Sequence, residues 1–337
     1  MSTEASISSV NLSPALSRSR YLGRAVAVLA VVMCLYLGSM VWAVRGDLAR
    51  AIDQFSTNVL PSTIGLVLLG LALRAVRWHY HVIRLRWGVL WHHSVAAFLA
   101  SFAFTATPGK AGEVVKSLLL RTRYNVSVAN GLGVLLVERL GDLLAVLILA
   151  SGGLGLLSDA TVYFLATALI VSASTLFLNN RWIYFPTLSK VARVPKLSGI
   201  AHKLLQAFDT CRALLPIPFL LGVGIALIAW ACEGWAFHLV ILHFGVKTDF
   251  LQSFSIYGVA TLVGALSALP GGLGSFEVAM VLLLSQRGMS LAAATVPIVV
   301  FRFCSLWLAS LIGVIFMFGW LWLMGSNQAD VSSRGLK

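Results

Sequence analysis

The chain has five glutamates, and four of them, Glu113, Glu138, Glu233 and Glu277, fall inside apolar stretches. An ionisable group at membrane depth is costly unless paired, so each is a candidate for binding charge or carrying a coupling proton. Glu138 and Asp142 are four residues apart and share one helix face. Arg139 sits about 100° around that helix from Glu138, so its best partners are on another helix. Arg302 lies in the last apolar run, beyond Pro297. Such residues either hold a polar substrate or tie helices together as buried ion pairs, which do not by themselves prove function.

Two related elements interrupt apolar runs. The first reads Pro108-Gly109-Lys110-Ala111-Gly112-Glu113 and the second Pro270-Gly271-Gly272-Leu273-Gly274-Ser275-Phe276-Glu277. Arg139 follows Pro108 by 31 residues, and Arg302 follows Pro270 by 32. A helix restarting near the bilayer middle presents unpaired N–H groups and the positive end of its dipole there. Two such ends form a pocket for an anion such as a phosphate, with Lys110 and Lys116 adding charge from the first copy. The glycines permit a tight turn and close backbone approach. The competing reading is that glycine and proline serve helix packing, with Glu113 and Glu277 only capping the dipole ends.

The elements that must position these residues are membrane helices. Of 337 residues, 59% are hydrophobic and 11% charged, and the mean hydropathy is +0.90. A soluble domain carries about 25% charged residues. The net charge of +13 fits basic cytoplasmic loops and anionic lipid rather than nucleic acid. The four cysteines show no metal spacing and read as free thiols. His79, His81, His92 and His93 cluster in sequence without the partners a metal site needs.

Six runs are long enough to span, at about 25–45, 57–77, 129–156, 160–179, 215–244 and 290–323. Regions 92–122 and 250–286 are each split by a Pro-Gly element into halves short for a span. Arginines and lysines flank the runs so that the positive-inside rule closes only if each split region leaves on the side it entered. The fold expected is therefore all-α and polytopic, with about six transmembrane helices and two re-entrant helical hairpins. Non-helical backbone at that depth requires a protein or wet-cavity lining. The units 57–156 and 215–323 form an inverted repeat, span four reversing the orientation, and matched breaks in two halves point to a transporter's site. Residues 1–20 read as a disordered cytoplasmic tail, 21–325 as one membrane domain, and 326–337 as a second tail. Both termini are then cytoplasmic. The basic connector 181–214 is either a loop or holds an amphipathic surface helix at about 199–213. The stretch Arg74, Arg77, Trp78, Arg84, Arg86, Trp87 and Trp91 reads as an interfacial anchor, or as a loading site for anionic head groups.

No P-loop, GxSxG, HExxH or Asp-x-Asp pair is present, and no nucleophile–base set is visible. No cofactor is indicated. Taken together, Arg74-Ala75-Val76-Arg77-Trp78, Thr107 to Glu113, Glu138-Arg139 with Asp142, Pro270 to Gly274 with Glu277, and Phe301-Arg302 resemble the membrane domain of lysylphosphatidylglycerol synthase/flippase proteins. The resemblance covers roughly residues 20–325. It implies lipid movement between leaflets of a bacterial inner membrane. With the chain ending at Lys337, no synthase domain and no lysyl transfer are expected. The expected partner is a membrane lipid, an anionic or zwitterionic phospholipid, with room left for a homo-oligomer. The expected substrate-binding set is Arg77, Pro108, Gly109, Lys110, Gly112, Glu113, Lys116, Glu138, Arg139, Asp142, Glu233, Pro270, Gly271, Gly272, Gly274, Glu277 and Arg302. The rivals are a membrane enzyme using Glu138 and Asp142 as acid and base, and a scaffold that binds lipid without moving it.

Overall fold

The computed structural model describes residues 31–32, 34–36, 38, 57–105, 112–152 and 160–334. Most of the first expected span, the tail 1–20, and Pro108, Gly109 and Lys110 of the first break lie outside them. Among the described residues the chain is helical, with no strand.

From residue 57 on, the described residues form twelve α-helices: α1 Leu60–Arg84, α2 Trp91–Ser101, α3 Val115–Tyr124, α4 Val128–Ser151, α5 Ala160–Asn179, α6 Arg181–Val191, α7 Ser198–Ala213, α8 Ile217–His243, α9 Phe250–Leu266, α10 Ser275–Ser285, α11 Leu291–Arg302 and α12 Leu308–Arg334. Among the described residues three stretches, Thr57–Arg84, Ile217–His243 and Ala293–Trp322, are long and apolar enough to cross a bilayer. Helix α4 is 24 residues long, about 36 Å, but carries Glu138, Arg139 and Asp142. Helices α2 and α10 have 11 residues each, about 16 Å, or roughly half a hydrocarbon core.

Both split regions double back. Helix α2 packs on α3 and α9 on α10. Tyr124, at the end of the first region, meets His93 Nδ1 at 2.6 Å near its start. In the second region, Arg287 Nη1 donates to Gln252 Oε1 at 2.7 Å. The break between α9 and α10 is a one-turn element, Pro270–Gly272, with Gly271 at φ 59 and Gly274 at φ 86. Those left-handed backbones favour glycine.

Helix α8 is central, packing against α1, α4, α9 and α11. One apolar core gathers Ala145, Phe237, Ile241, Met280 and Ile298; a second gathers Trp78, Phe98, Leu120, Val134 and Cys211. The α1–α8 contact is close because Gly70 has no side chain: a Cβ there would lie 2.9 Å from the Ala229 carbonyl oxygen.

Four boundaries differ from the sequence reading. The second span does not stop at 77; α1 runs to Arg84 and takes Arg74, Arg77 and Trp78 into the helix. The last span is interrupted by a π-turn, Phe303–Trp307, directly after Arg302. Its helix continues to Arg334, past 323. In the connector the 199–213 helix exists as α7, packed on α4, and α6 precedes it without having been expected.

Candidate functional site

Helix α1 supplies the first charged stripe. Val67, Leu71, Arg74, Ala75, Trp78 and Val82 recur at three- and four-residue steps, the spacing of one helix face. Arg74, Arg77 and His81 fall on or beside that face and point inward with it, so Arg74 and Arg77 are not an interfacial anchor. Arg77 Nη1 donates to Asp142 Oδ1 at 2.7 Å. Arg74 Nη2 lies 2.7 Å from Glu233 Oε1 and its guanidinium sits 4.2 Å over the Trp230 ring. The other Glu233 oxygen accepts from Tyr257 at 2.5 Å.

Helix α4 supplies the second stripe. Arg139 Nη2 bridges Glu113 Oε2 at 2.9 Å and Asp142 Oδ2 at 3.0 Å. Trp230 Nε1 donates to Asp142 Oδ1 at 3.1 Å. On the neighbouring face, Lys116 Nζ donates to Glu138 Oε2 at 2.5 Å and rests 4.3 Å over the Trp78 ring.

The second break repeats the first in one respect. Glu113 pairs with Arg139, 26 residues on, and Glu277 with Arg302, 25 residues on. Arg302 donates to Glu277, approaches the Gly271 and Gly272 carbonyls at 3.3 and 3.4 Å, and stacks on Phe276 at 4.2 Å. The other Glu277 oxygen accepts the Gly274 N–H at 2.7 Å, closing a cap on α10. The two pairs differ in access: the side chains of Arg139 and Glu113 are 34% and 18% exposed, those of Arg302 and Glu277 only 8% and 4%.

A cavity of about 140 Å³ lies where the two breaks meet. Thr105 and Glu113 reach it from the first break, Gly271, Gly272 and Phe276 from the second, and Arg74, Trp230, Glu233, Tyr257 and Arg302 from the surrounding helices. The breaks approach closely: a Cβ on Gly271 would stand 3.6 Å from the Thr105 carbonyl oxygen. Gly112 lies against Phe104 with no room for a side chain.

The sequence-derived set is thus divided. Glu113, Glu233, Gly271, Gly272 and Arg302 line the cavity. Glu277, Arg139 and Asp142 touch it through Arg302, Glu113 and Trp230 respectively, and Arg77 follows through Asp142. Lys116 and Glu138 form a separate buried pair beside it. Trp230 and Tyr257 were missed as site residues, and Arg74, read as an interfacial anchor or a head-group loading site, was left out of the substrate-binding set. The spacing of Arg74, Arg77 and His81 carried the only local signal. The four clustered histidines separate, the His92 and His93 rings meeting at a tilt with centroids 4.2 Å apart while His81 turns into the core. In these contacts five cations, Arg74, Arg77, Lys116, Arg139 and Arg302, meet five carboxylates, Glu113, Glu138, Asp142, Glu233 and Glu277.

Residues 22–313 match the family model of the lysylphosphatidylglycerol synthase transmembrane region. A UPF0104 membrane protein of Methanothermobacter thermautotrophicus is 27% identical over 310 residues, covering 85% of this chain and 91% of the relative. A UPF0104 membrane protein of Methanocaldococcus jannaschii is 24% identical over 225 residues, 64% of this chain and 93% of the relative. The phosphatidylglycerol lysyltransferase of Bacillus subtilis is 26% identical over 102 residues, 30% of this chain but 12% of that enzyme.

Proposed function

The chain belongs to the lysylphosphatidylglycerol synthase transmembrane-region family and is a multi-pass membrane protein, and from that premise we propose that it carries a lipid with an anionic or zwitterionic head group between the leaflets of a bacterial inner membrane. The observation that carries the reading is the cavity at the meeting of the two breaks, walled by charged side chains from both halves. A chamber that brings Arg74, Glu113, Glu233 and Arg302 to an otherwise largely apolar wall suits an amphipathic ligand with a charged head, and intramembrane ionisable groups mark substrate pathways.

In this reading the two doubled-back regions are re-entrant hairpins, the first opening to the cytoplasm and the second to the outside. The matched pairs Glu113–Arg139 and Glu277–Arg302 mark an inverted repeat. Both termini are cytoplasmic. Arg74 and Arg302 receive the head-group phosphate, while Glu233 and Glu113 balance it or accept an amine. The cavity has room for only about five waters, taking roughly 30 Å³ for each. A head group therefore enters only as the halves part, and rocking about the site alternates access. The more open Glu113–Arg139 pair faces the side now accessible; the closed Glu277–Arg302 pair guards the other.

The enzyme reading is weaker on geometry. Glu138 is held by Lys116 and Asp142 by Arg77, Arg139 and Trp230, which leaves neither placed to trade a proton with a substrate in the cavity. Translocation of labelled phosphatidylglycerol in proteoliposomes tests the proposal. Wild-type protein accelerates exchange, and Arg74→Gln reduces it while remaining folded. Bound lipid without accelerated exchange refutes transport in favour of a scaffold, and a chemically altered lipid refutes it in favour of an enzyme.

A further inference from the structure

His81 is 1% exposed, and neither ring nitrogen has a hydrogen-bond partner among the described residues. Its Nδ1 stands 4.0 Å from Glu138 Oε1, which has no hydrogen-bond partner either. The other Glu138 oxygen is engaged by Lys116. An unmet buried polar atom is costly, so two facing groups left this way call for a reason.

We infer that His81 and Glu138 form a proton-binding site within the membrane, loaded together with the anionic head group. This rests on the transport reading above. Helix α1 contributes Arg77 and Tyr80, whose ring centroid lies 5.7 Å from that of His81, α3 contributes Lys116, and α4 contributes Glu138 and Asp142. Helix α8 offers no charge near the ring, only Gly222, where a Cβ would come within 3.1 Å of Nε2. Arg77 is already matched by Asp142, and Lys116 by Glu138.

The ring lone pair takes the proton, giving an imidazolium. The Nδ1–H then donates to Glu138 Oε1, and closing the 4.0 Å gap to about 2.7–2.9 Å makes a charge-assisted hydrogen bond. Release on the opposite side returns the neutral ring. Because the surrounding charges are already paired, this proton adds an unmatched positive charge, which is unfavourable at low dielectric. An anion entering the cavity restores the balance. The link runs from Glu138 to its neighbour Arg139 on α4, then to Glu113 on the cavity wall. By thermodynamic reciprocity, a proton that favours the anion is itself favoured by the anion. The protein would therefore move an anionic lipid and a proton in the same direction.

Two measurements on the full chain test this. In proteoliposomes containing a trapped pH dye, labelled phosphatidylglycerol movement should acidify the lumen when lipid moves inward. His81→Gln should lose that proton flux and the pH dependence while eluting as folded protein. Separately, ring-nitrogen NMR of the protein in nanodiscs between about pH 5 and 8 should show a larger protonated His81 fraction in phosphatidylglycerol than in phosphatidylcholine. Lipid movement with no proton flux, or a His81→Phe variant with an unchanged pH profile, overturns the inference and leaves transport standing. A ring neutral throughout in both lipids identifies His81 as a core residue and also overturns it. Anion-linked protonation in a protein that moves no lipid would instead sink the transport reading and keep the site.

Discussion

Replacing Arg302 by Met should be among the most destabilising single changes in the chain. Arg302 and Glu277 are 7% and 3% exposed as residues. Removing the guanidinium takes the countercharge from Glu277, leaving its carboxylate with the Gly274 N–H and beside the Tyr36 hydroxyl. It also strips the weak donor from the Gly271 and Gly272 carbonyls. Breaking a buried pair from one side costs about 3–5 kcal/mol, a factor of roughly 10² to several times 10³ in the folding equilibrium. Arg302→Met/Glu277→Gln removes both charges yet leaves an amide oxygen for Gly274, so most of the loss should return. Arg139→Met leaves only the partly open Glu113 short of a partner, because Asp142 keeps Arg77 and Trp230. About 1–2 kcal/mol is expected there. Equilibrium unfolding in mixed micelles, read by steric trapping, gives these differences directly. An Arg302→Met variant within about 1 kcal/mol of wild type, or a double variant no better than the single, would refute the reasoning.

Gly70→Leu should cost at least about 1–3 kcal/mol by forcing α1 from α8, while Gly65→Leu, with nothing within 4 Å of its Cβ, should be near neutral; thermal unfolding of the two separates packing from propensity. Cysteines at Leu90 and Asn125 should react with an impermeant thiol reagent from one face, and those at Lys247 and Arg287 from the other. Labelling of either pair from opposite faces excludes the hairpins. Arg74→Gln should slow lipid exchange at least about tenfold, the loss expected where a charged hydrogen bond of about 1.5–3 kcal/mol is removed. Arg181→Gln, which breaks an exposed pair with Asp209, should change stability by no more than about 1 kcal/mol and leave exchange as it was.

The sequence made the break at 270–274 and the helices around it readable because proline and glycine act locally. The length of α1 was harder. Charge ends a span in a hydropathy reading, so Arg74 and Arg77 looked like exits, whereas their three- and four-residue spacing with Ala75, Trp78 and Val82 places them inside. Their partners explain why this was hidden: Asp142 is 65 residues from Arg77, and Glu233 is 159 from Arg74 (233 − 74). The Glu113–Arg139 and Glu277–Arg302 registers were legible as equal spacings, but that each arginine would be answered by its own break's glutamate needed side-chain geometry. The α6 helix was obscured by Pro186 within it and by the basic residues that follow.

The π-turn at Phe303–Trp307 gives the last helix a mechanical character. One added residue rotates everything beyond it by about 100°. Above the turn, α11 packs against α10 and α8; below it, α12 packs against α2 and the 102–104 turn. A single rod thus grips one half of the molecule with its upper face and the other half with a differently aimed lower face, and Arg302 sits on the last residue before the change of grip. In the rocking motion proposed above, torque between the halves would converge on that joint, and a shift of one residue in the rod's winding would turn that motion into rotation of the arginine.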